Sequence, residues 1–325
     1  MGDQKGYQNS MAERQKAPFR TSIGGQALME GILMRGPEKQ AIVVRTPENE
    51  LVTKVTDIKL VKDRYPILDW PVIRGTVNLI SSMVEGMKAL TYSASFLPEE
   101  EQEQPSKLDQ WIEKHVGGEK GEKLILGVGV FLGILLAVVL FFLLPTFLVS
   151  LLDKVLHSSV LRALLEGVAR IGIFLVYMIL VSKMQEIKRV WQYHGAEHKT
   201  IHCYEKGLEL TVENARPQPC CHPRCGTSFL ILMMLVSILV FAFVQWSNVW
   251  IRMVMRLVLL PVVVGFSYEL IRLAGRHDNW LTRAISAPGR ALQRLTTREP
   301  DDAMLEVAIA ALREVIPAEK GKDNW

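Results

Sequence analysis

Residues 191–205 read Trp-Gln-Tyr-His-Gly-Ala-Glu-His-Lys-Thr-Ile-His-Cys-Tyr-Glu. On a helix, side chains four residues apart lie about 5–6 Å from each other at Cβ. A helix continuing from the apolar segment before it would therefore align His194, His198 and His202 on one face, at i, i+4 and i+8. Two imidazoles at that spacing can grip one divalent cation. The order His-x-x-Glu-His, filled here by His194, Glu197 and His198, is the inverted form of the zincin motif. In such sites the two histidines hold zinc and the glutamate acts as general base toward water. Zinc lowers the pKa of that water to about 7, which gives a nucleophile at neutral pH. The competing reading is a basic juxtamembrane helix whose histidines sit in headgroup water.

A second cluster, Cys220-Cys221-His222-Pro223-Arg224-Cys225-Gly226, precedes a long apolar run. Two histidines of the first segment with His222 or Cys225 of the second would make a site of three protein ligands with one position open. Residues 194–225 hold four of the chain's seven histidines and all four cysteines, Cys203, Cys220, Cys221 and Cys225. Imidazole and thiolate donors favour zinc among the divalent metals. No C-x-x-C pair is present, so a thioredoxin-type motif is not supported. Two further places are weaker. Gln26, Glu30 and Arg35 lie in IGGQALMEGILMRGP (23–37), whose glycines permit tight turns and close approach to a ligand, or serve only a structural turn. Glu269 near the end of an apolar run could offer a carboxylate to the metal or its water, or pair with Arg272.

The elements that would position these residues are mostly apolar helices. The chain has 325 residues, 49% hydrophobic and 22% charged, with mean hydropathy +0.17. The excess sits in a few long runs, as in a membrane protein. Leu124–Leu152 and Gly226–Ile251 are free of charge and exceed the ~20 residues that span a bilayer core. Trp246 and Trp250 would anchor the far end of the second run at the interface. Arg162–Lys183 contains Glu166 and Arg170, spaced to pair on one helix face, and Ile251–Ile271 contains Arg256 and Glu269. Four spans are expected. Lys183, Lys188, Arg189, Lys199, Lys206, Arg216 and Arg224 crowd the central loop, and five arginines between 272 and 294 follow the last span. The positive-inside rule puts that loop and both termini in the cytoplasm, where the cysteines stay reduced.

The first twenty residues are polar and lack the apolar core of a signal peptide. Val, Ile and Thr between Gln40 and Lys62 read as two strands around a turn at 47–50. Asp69-Trp70-Pro71 opens an amphipathic helix, with Ile73, Val77, Ile80, Val84 and Met87 on one stripe and Arg74, Asn78, Ser81, Glu85 and Lys88 on another. Such a helix packs on the N-terminal region or lies on the inner membrane surface. Pro98–Lys107 is an acidic linker. Pro300, Asp301 and Asp302 start a final helix, with Met304, Ala308, Ala311, Leu312 and Val315 as a docking face and Pro317 as its stop.

The expected fold is mainly α, a polytopic membrane protein with about four transmembrane helices plus a small α+β cytoplasmic N-terminal region. The divisions are residues 1–21 disordered, 22–97 the α+β region, 98–123 linker and short helix, 124–275 membrane domain with a metal-site loop at 184–228, and 276–325 a cytoplasmic helical tail. The net charge of +4 fits anionic lipid headgroups, and no nucleic-acid module is visible.

GGQALMEGILMRGP (24–37), YHGAEHKTI (193–201), TVENAR (211–216), HPRCGTSF (222–229), SYELIR (267–272) and LTTREPDD (295–302) together resemble the YqhQ-like family of bacterial membrane proteins. That family is described as predicted metal-dependent enzymes with no established reaction. The resemblance covers most of the chain from residue 22. It implies His194, Glu197, His198, His222 and Cys225 as the shared polar positions, and it sets His202, Cys220 and Cys221 aside as additions of this chain.

The expected function is that of a metal-dependent membrane hydrolase. Zinc would be held by His194, His198 and His222 or Cys225, and Glu197 would be the catalytic base. The substrate would be a peptide or lipid headgroup at the inner face of the plasma membrane. The alternative is a non-catalytic scaffold or assembly factor around a structural zinc. A transporter lined by Glu166, Arg170, Arg256 and Glu269 ranks third, because four spans are few and these groups sit near span ends.

Overall fold

The computed structural model describes residues 19–58, 65–98, 118–152, 158–243, 248–276, 279–319 and 321–324. The acidic linker lies outside them. The chain divides into two compact units. The first gathers Met1–Leu97, Met178–Met233 and Pro261–Trp325, and the second gathers Pro98–Tyr177 and Met234–Leu260.

The first unit is built on a four-stranded antiparallel sheet in sequential order, β1 (Gly24–Leu28), β2 (Gly31–Arg35), β3 (Lys39–Arg45) and β4 (Leu51–Asp57). The β3–β4 hairpin matches the patterned Val/Ile/Thr stretch, and its turn carries Asn49 at φ 65, a left-handed conformation that asparagine tolerates. The glycine-rich segment is itself a hairpin, β1 on β2, with Gly25 opposite Met34 and Ala27 opposite Ile32. Its pattern does not alternate because both faces of β2 are buried.

The helices of both units follow in chain order. They are α1 (Ile73–Ala94), α2 (Gly118–Val138), α3 (Leu144–Ser150), α4 (Ser159–Val181), α5 (Gln185–Glu205), α6 (Val212–Ala215), α7 (Gly226–Ala242), α8 (Val249–Val258), α9 (Leu260–Arg276), α10 (Trp280–Thr296) and α11 (Asp302–Val315). One face of the sheet, with Ile32, Met34, Ala41 and Val43, packs with Tyr193 and Ala196 of α5 and Met304, Ala308 and Leu312 of α11. The opposite face, with Leu28, Leu33, Ile42 and Val44, packs on Ala89 of α1. Asp301 caps α11 by accepting from the Met304 N–H at 2.8 Å, as its sequence indicated. The two ends of the unit also meet: Thr21 bridges to Asn324, and Thr21 Oγ1 donates to Asp323 Oδ2 at 2.9 Å.

Helix α5 does not continue α4. Met184 is extended between them, so the histidine stripe belongs to a helix of its own. Helix α1 rests on α9, where Gly265 leaves room for the Val72 backbone; a Cβ there would come 2.3 Å from the Val72 carbonyl oxygen. Glu269 is drawn into this contact. It accepts from Arg74 Nε at 2.7 Å and Nη2 at 2.5 Å, a bidentate pair that takes it away from the metal role considered above.

Two helical stretches are long and apolar enough to cross a membrane, Gly127–Ser150 and Val160–Val181. Trp250–Val258 and Leu260–Ala274 make a third if the pair, bent by 44°, is one span. The charge-free run expected to extend to Ile251 forms a helix only to Ala242, and Trp246 lies outside the described residues. Between α2 and α3 the helix widens into one π turn, Val139–Leu143. Pro145 explains it: proline has no N–H for the Phe141 carbonyl and its ring clashes there. Arg170 Nε donates to that freed carbonyl at 2.7 Å. Arg170 also donates to Ser237 Oγ at 2.5 Å, while Glu166 pairs with Arg256. The expected Glu166–Arg170 pair along one helix is thus replaced by partners from neighbouring helices, which surround the buried charges more completely than one side chain could.

Leu312 is fully buried between the sheet and α5. Leu312→Ala should destabilise the first unit by about 2–5 kcal/mol, measured by denaturant titration of the detergent-solubilised full chain through far-UV circular dichroism.

Candidate metal centre

Helix α5 carries His194, Glu197 and His198 against β1 and beside the loop that leads into α7. Its inner face is almost wholly buried from Tyr193 to Ile201. His194, His198 and Cys225 can each offer one ligand atom, a ring nitrogen or the sulfur, and these atoms all lie within 4.8 Å of one another. His194 Nδ1 donates to the Thr296 carbonyl at 2.7 Å, and His198 Nδ1 donates to the Cys220 carbonyl. A proton fixed on each Nδ1 leaves the Nε2 lone pairs for the shared point. His194 Nε2 meets Cys225 Sγ at 3.1 Å. His198 Nε2 is buried and has no hydrogen-bond partner among the described residues. A buried nitrogen acceptor without a donor is costly in a folded protein unless something else binds it.

The electrostatics run the same way. Burial alone would raise the Cys225 thiol, but the imidazoles of His198 and His194 hold it well below the usual thiol range. Burial would lower His194, yet the Cys225 sulfur and Glu197 carry it up to about 9. The imidazole and the sulfur thus each favour the charged form of the other. A neutral imidazole and a thiolate are the donors a soft divalent ion takes, the ion displacing the His194 proton as it binds. The residues therefore fit a zinc-like ion.

Glu197 adjoins this group. Its Oε1 accepts from the Gly25 N–H of β1 at 3.0 Å, and its Oε2 is buried without a partner among the described residues. Burial raises its carboxyl above the usual range, and the two imidazoles pull it partly back. A raised carboxyl is a stronger proton acceptor once ionised. Gly25 is required at this contact, because a Cβ would sit 3.0 Å from Glu197 Cδ and 2.7 Å from the Leu33 carbonyl oxygen. The glycine signal in the sequence pointed to a close approach. The carbonyls of Thr296 and Cys220 left no comparable signal, because a backbone acceptor has no side-chain identity.

His222 stands apart from the first group. Its ring centroid is 5.8 Å from that of His198, and it forms a second group with His202 and Glu205. His222 Nε2 meets Glu205 Oε2 at 3.3 Å, and Arg224 pairs with the other oxygen of Glu205. His202 Nε2 donates to the Cys221 carbonyl at 2.9 Å. Buried Gln293 of α10 clamps the loop: its Oε1 accepts from the His222 N–H at 2.8 Å, and its Nε2 donates to the His222 carbonyl at 2.8 Å and to Ser228 Oγ at 2.9 Å. The arginine beside Glu205 makes this second group a poorer host for a cation. The remaining shared motifs fasten the same unit. Arg216 grips Asp302 bidentately at 3.0 and 2.6 Å, Arg189 pairs with Glu30, and Lys199 joins Glu299 at 2.8 Å.

The fold and this centre define a mainly helical protein with a small antiparallel sheet, two or three stretches able to cross a membrane, and a buried His-His-Cys-Glu cluster. The chain belongs to the family described as "Protein of unknown function (DUF1385)", which matches residues 70–318. It is 33% identical over 305 residues to the protein of Bacillus subtilis (strain 168) named "Uncharacterized protein YqhQ", covering 92% of this chain and 93% of that one. No solved structure matches.

Burial, with Arg224 close by, pushes His222 down to about 4 from its ordinary 6.5. Between those values the unfolded chain takes up a proton that the folded chain does not, so stability rises with pH there. With chelator present, stability should fall by up to about 3 kcal/mol as pH drops from 6.5 to 4. His222→Gln should flatten that part of the curve, read by urea titrations at stepped pH.

Proposed function

We propose that this chain is a metal-dependent membrane hydrolase, with zinc as its metal, acting at the cytoplasmic face of the plasma membrane. The convergence of a ring nitrogen each of His194 and His198 with Cys225 Sγ within 4.8 Å carries the reading. Three protein ligands on a tetrahedral ion leave its fourth position open, as catalytic rather than closed structural sites do. Zinc bound there would act as a Lewis acid and acidify a water. The chain supplies the rest. The Thr296 and Cys220 carbonyls hold the imidazole tautomers. Glu197, aimed by the Gly25 N–H through one oxygen, has its other oxygen free to take a proton from the attacking water and return it to the leaving group.

The membrane arrangement we propose has four spans, with both termini and the central loop in the cytoplasm. Its support is the set of apolar helices, Gly127–Ser150, Val160–Val181, the shorter Gly226–Ala242 and the bent pair Trp250–Val258 and Leu260–Ala274, together with the basic residues that crowd the central segment and the C-terminal tail.

Wild-type protein should carry about one zinc per chain by elemental analysis, a stoichiometry expected from a single three-ligand site. The double variant His194→Ala/His198→Ala should carry almost none. Glu197→Gln should keep its metal and lose roughly 10²–10⁴-fold in hydrolytic rate. Unchanged function of Glu197→Gln in a complementation assay would favour a scaffold instead.

A further inference from the structure

The sheet face opposite the metal centre leaves a cavity of about 300 Å³ against α1, lined by Gly24, Gln26, Arg35, Gln40, Ser82 and Glu85. We infer that this cavity is a binding pocket for a phosphate ester, either the phosphodiester of a lipid headgroup or a free one, set one backbone strand away from Glu197. The cavity and the His194, His198 and Cys225 cluster lie on opposite faces of the sheet, so the inference adds a second binding site to the hydrolase reading.

The register places Gly24, Arg35 and Gln40 in one cross-strand row. The row is open at its edge, since a Cβ on Gly24 would meet nothing within 4 Å. The cavity holds two charged side chains of opposite sign. Glu85 is already engaged, accepting from Gln40 Nε2 at 3.1 Å and paired with Lys88 Nζ at 2.7 Å. Among the described residues the Arg35 guanidinium has no hydrogen bond or ion pair of its own. Its charge reaches the Glu85 carboxylate, but its donors are unfilled, so with the Gln26 amide and the Ser82 hydroxyl the cavity presents a planar donor fork and neutral donors, the set that suits a phosphate. Gly25 lines the same cavity, and its N–H donates to Glu197. A phosphate held by Arg35 therefore lies across the Gly24–Gly25 backbone from the proposed base.

The surroundings favour an ester found at a bilayer surface over a peptide carboxylate. Helix α1, which supplies Ser82 and Glu85, is fixed to α9 of the bent membrane pair by Arg74–Glu269, by Thr76 Oγ1 on the Pro261 carbonyl at 3.0 Å and by Asn78 Nδ2 on Tyr268 OH at 3.0 Å. On their open side, α1 and the turn before it expose Ile67 (61%), Trp70 (60%), Ile80 (58%) and Met83 (54%). An aromatic and aliphatic face of this kind, on a helix tied to a membrane segment, seats at the level of lipid phosphates.

The test uses full-length protein in detergent, with inorganic phosphate and sn-glycerol 3-phosphate as probes in isothermal titration. Saturable binding is expected for wild type, for Glu197→Gln and for His194→Ala/His198→Ala, with at least 10-fold weaker binding in Arg35→Gln and in Gly24→Val, which fills the cavity. Metal content and unfolding temperature of the last two variants should match wild type. Competition by nanodiscs of phosphatidylglycerol assigns the lipid headgroup, and its absence assigns a soluble ester; either is the inferred chemistry. No saturable binding to wild type, equal binding in Arg35→Gln and Gly24→Val, loss of binding only when the histidines are removed, or Arg35-dependent binding of acetyl-dialanine in place of phosphate would overturn the inference. Absence of zinc from wild type, with phosphate binding intact, would instead sink the hydrolase reading alone.

Discussion

Burying two imidazoles, a thiol and a carboxyl at one point is unfavourable unless every polar atom finds a partner. Most of the first unit can be read as the answer to that constraint. Carbonyls from two distant segments take the Nδ1 protons of His194 and His198, and a strand N–H takes one oxygen of Glu197. Gln293, fully buried, locks the loop whose turn presents Cys225. His198 Nε2 and Glu197 Oε2, one turn or less apart on α5, are among the buried polar atoms left without a hydrogen-bond partner among the described residues, and they are the two that belong to the cluster itself.

Local chemistry was readable in the sequence where it depends on spacing along a single element. The His-x-x-Glu-His order fixes a shared helix face whatever follows, and Asp301 announces the start of α11 through its side chain alone. The β3–β4 hairpin shows itself through its β-branched residues and Asn49. The β1–β2 hairpin was hidden, because β2 is covered on both faces and its Gly-Ile-Leu-Met run has neither period. Partner choice between elements was equally hidden. Glu166 and Arg170 satisfy helix spacing yet bond across to Arg256, Ser237 and the carbonyl that Pro145 sets free. His222 and Cys225 are three residues apart in sequence but fall into different groups. Glu269 likewise bonds bidentately to Arg74, nearly two hundred positions away, with Arg272 on its own helix contributing through its charge.

The motifs that recur in the family resemblance acquire a common meaning in this geometry. Gly25 sits under Glu197, Arg216 holds Asp302, Thr296 orients His194, and Glu269 holds the amphipathic helix to a membrane segment. Each is a fastening between the sheet, the central helix and the final two helices. The first turn of α7 joins them, since the Thr227 N–H and hydroxyl both lie against the Cys225 sulfur.

The sheet's cover arrives late. Ile32, Met34, Ala41 and Val43 are sealed by α11, and Thr21 is closed by Asp323, 302 positions further along the chain. During synthesis these strands must wait, apolar side uncovered, while the intervening residues are made. The His-His-Cys cluster is completed as late, because the carbonyl that holds His194 belongs to Thr296.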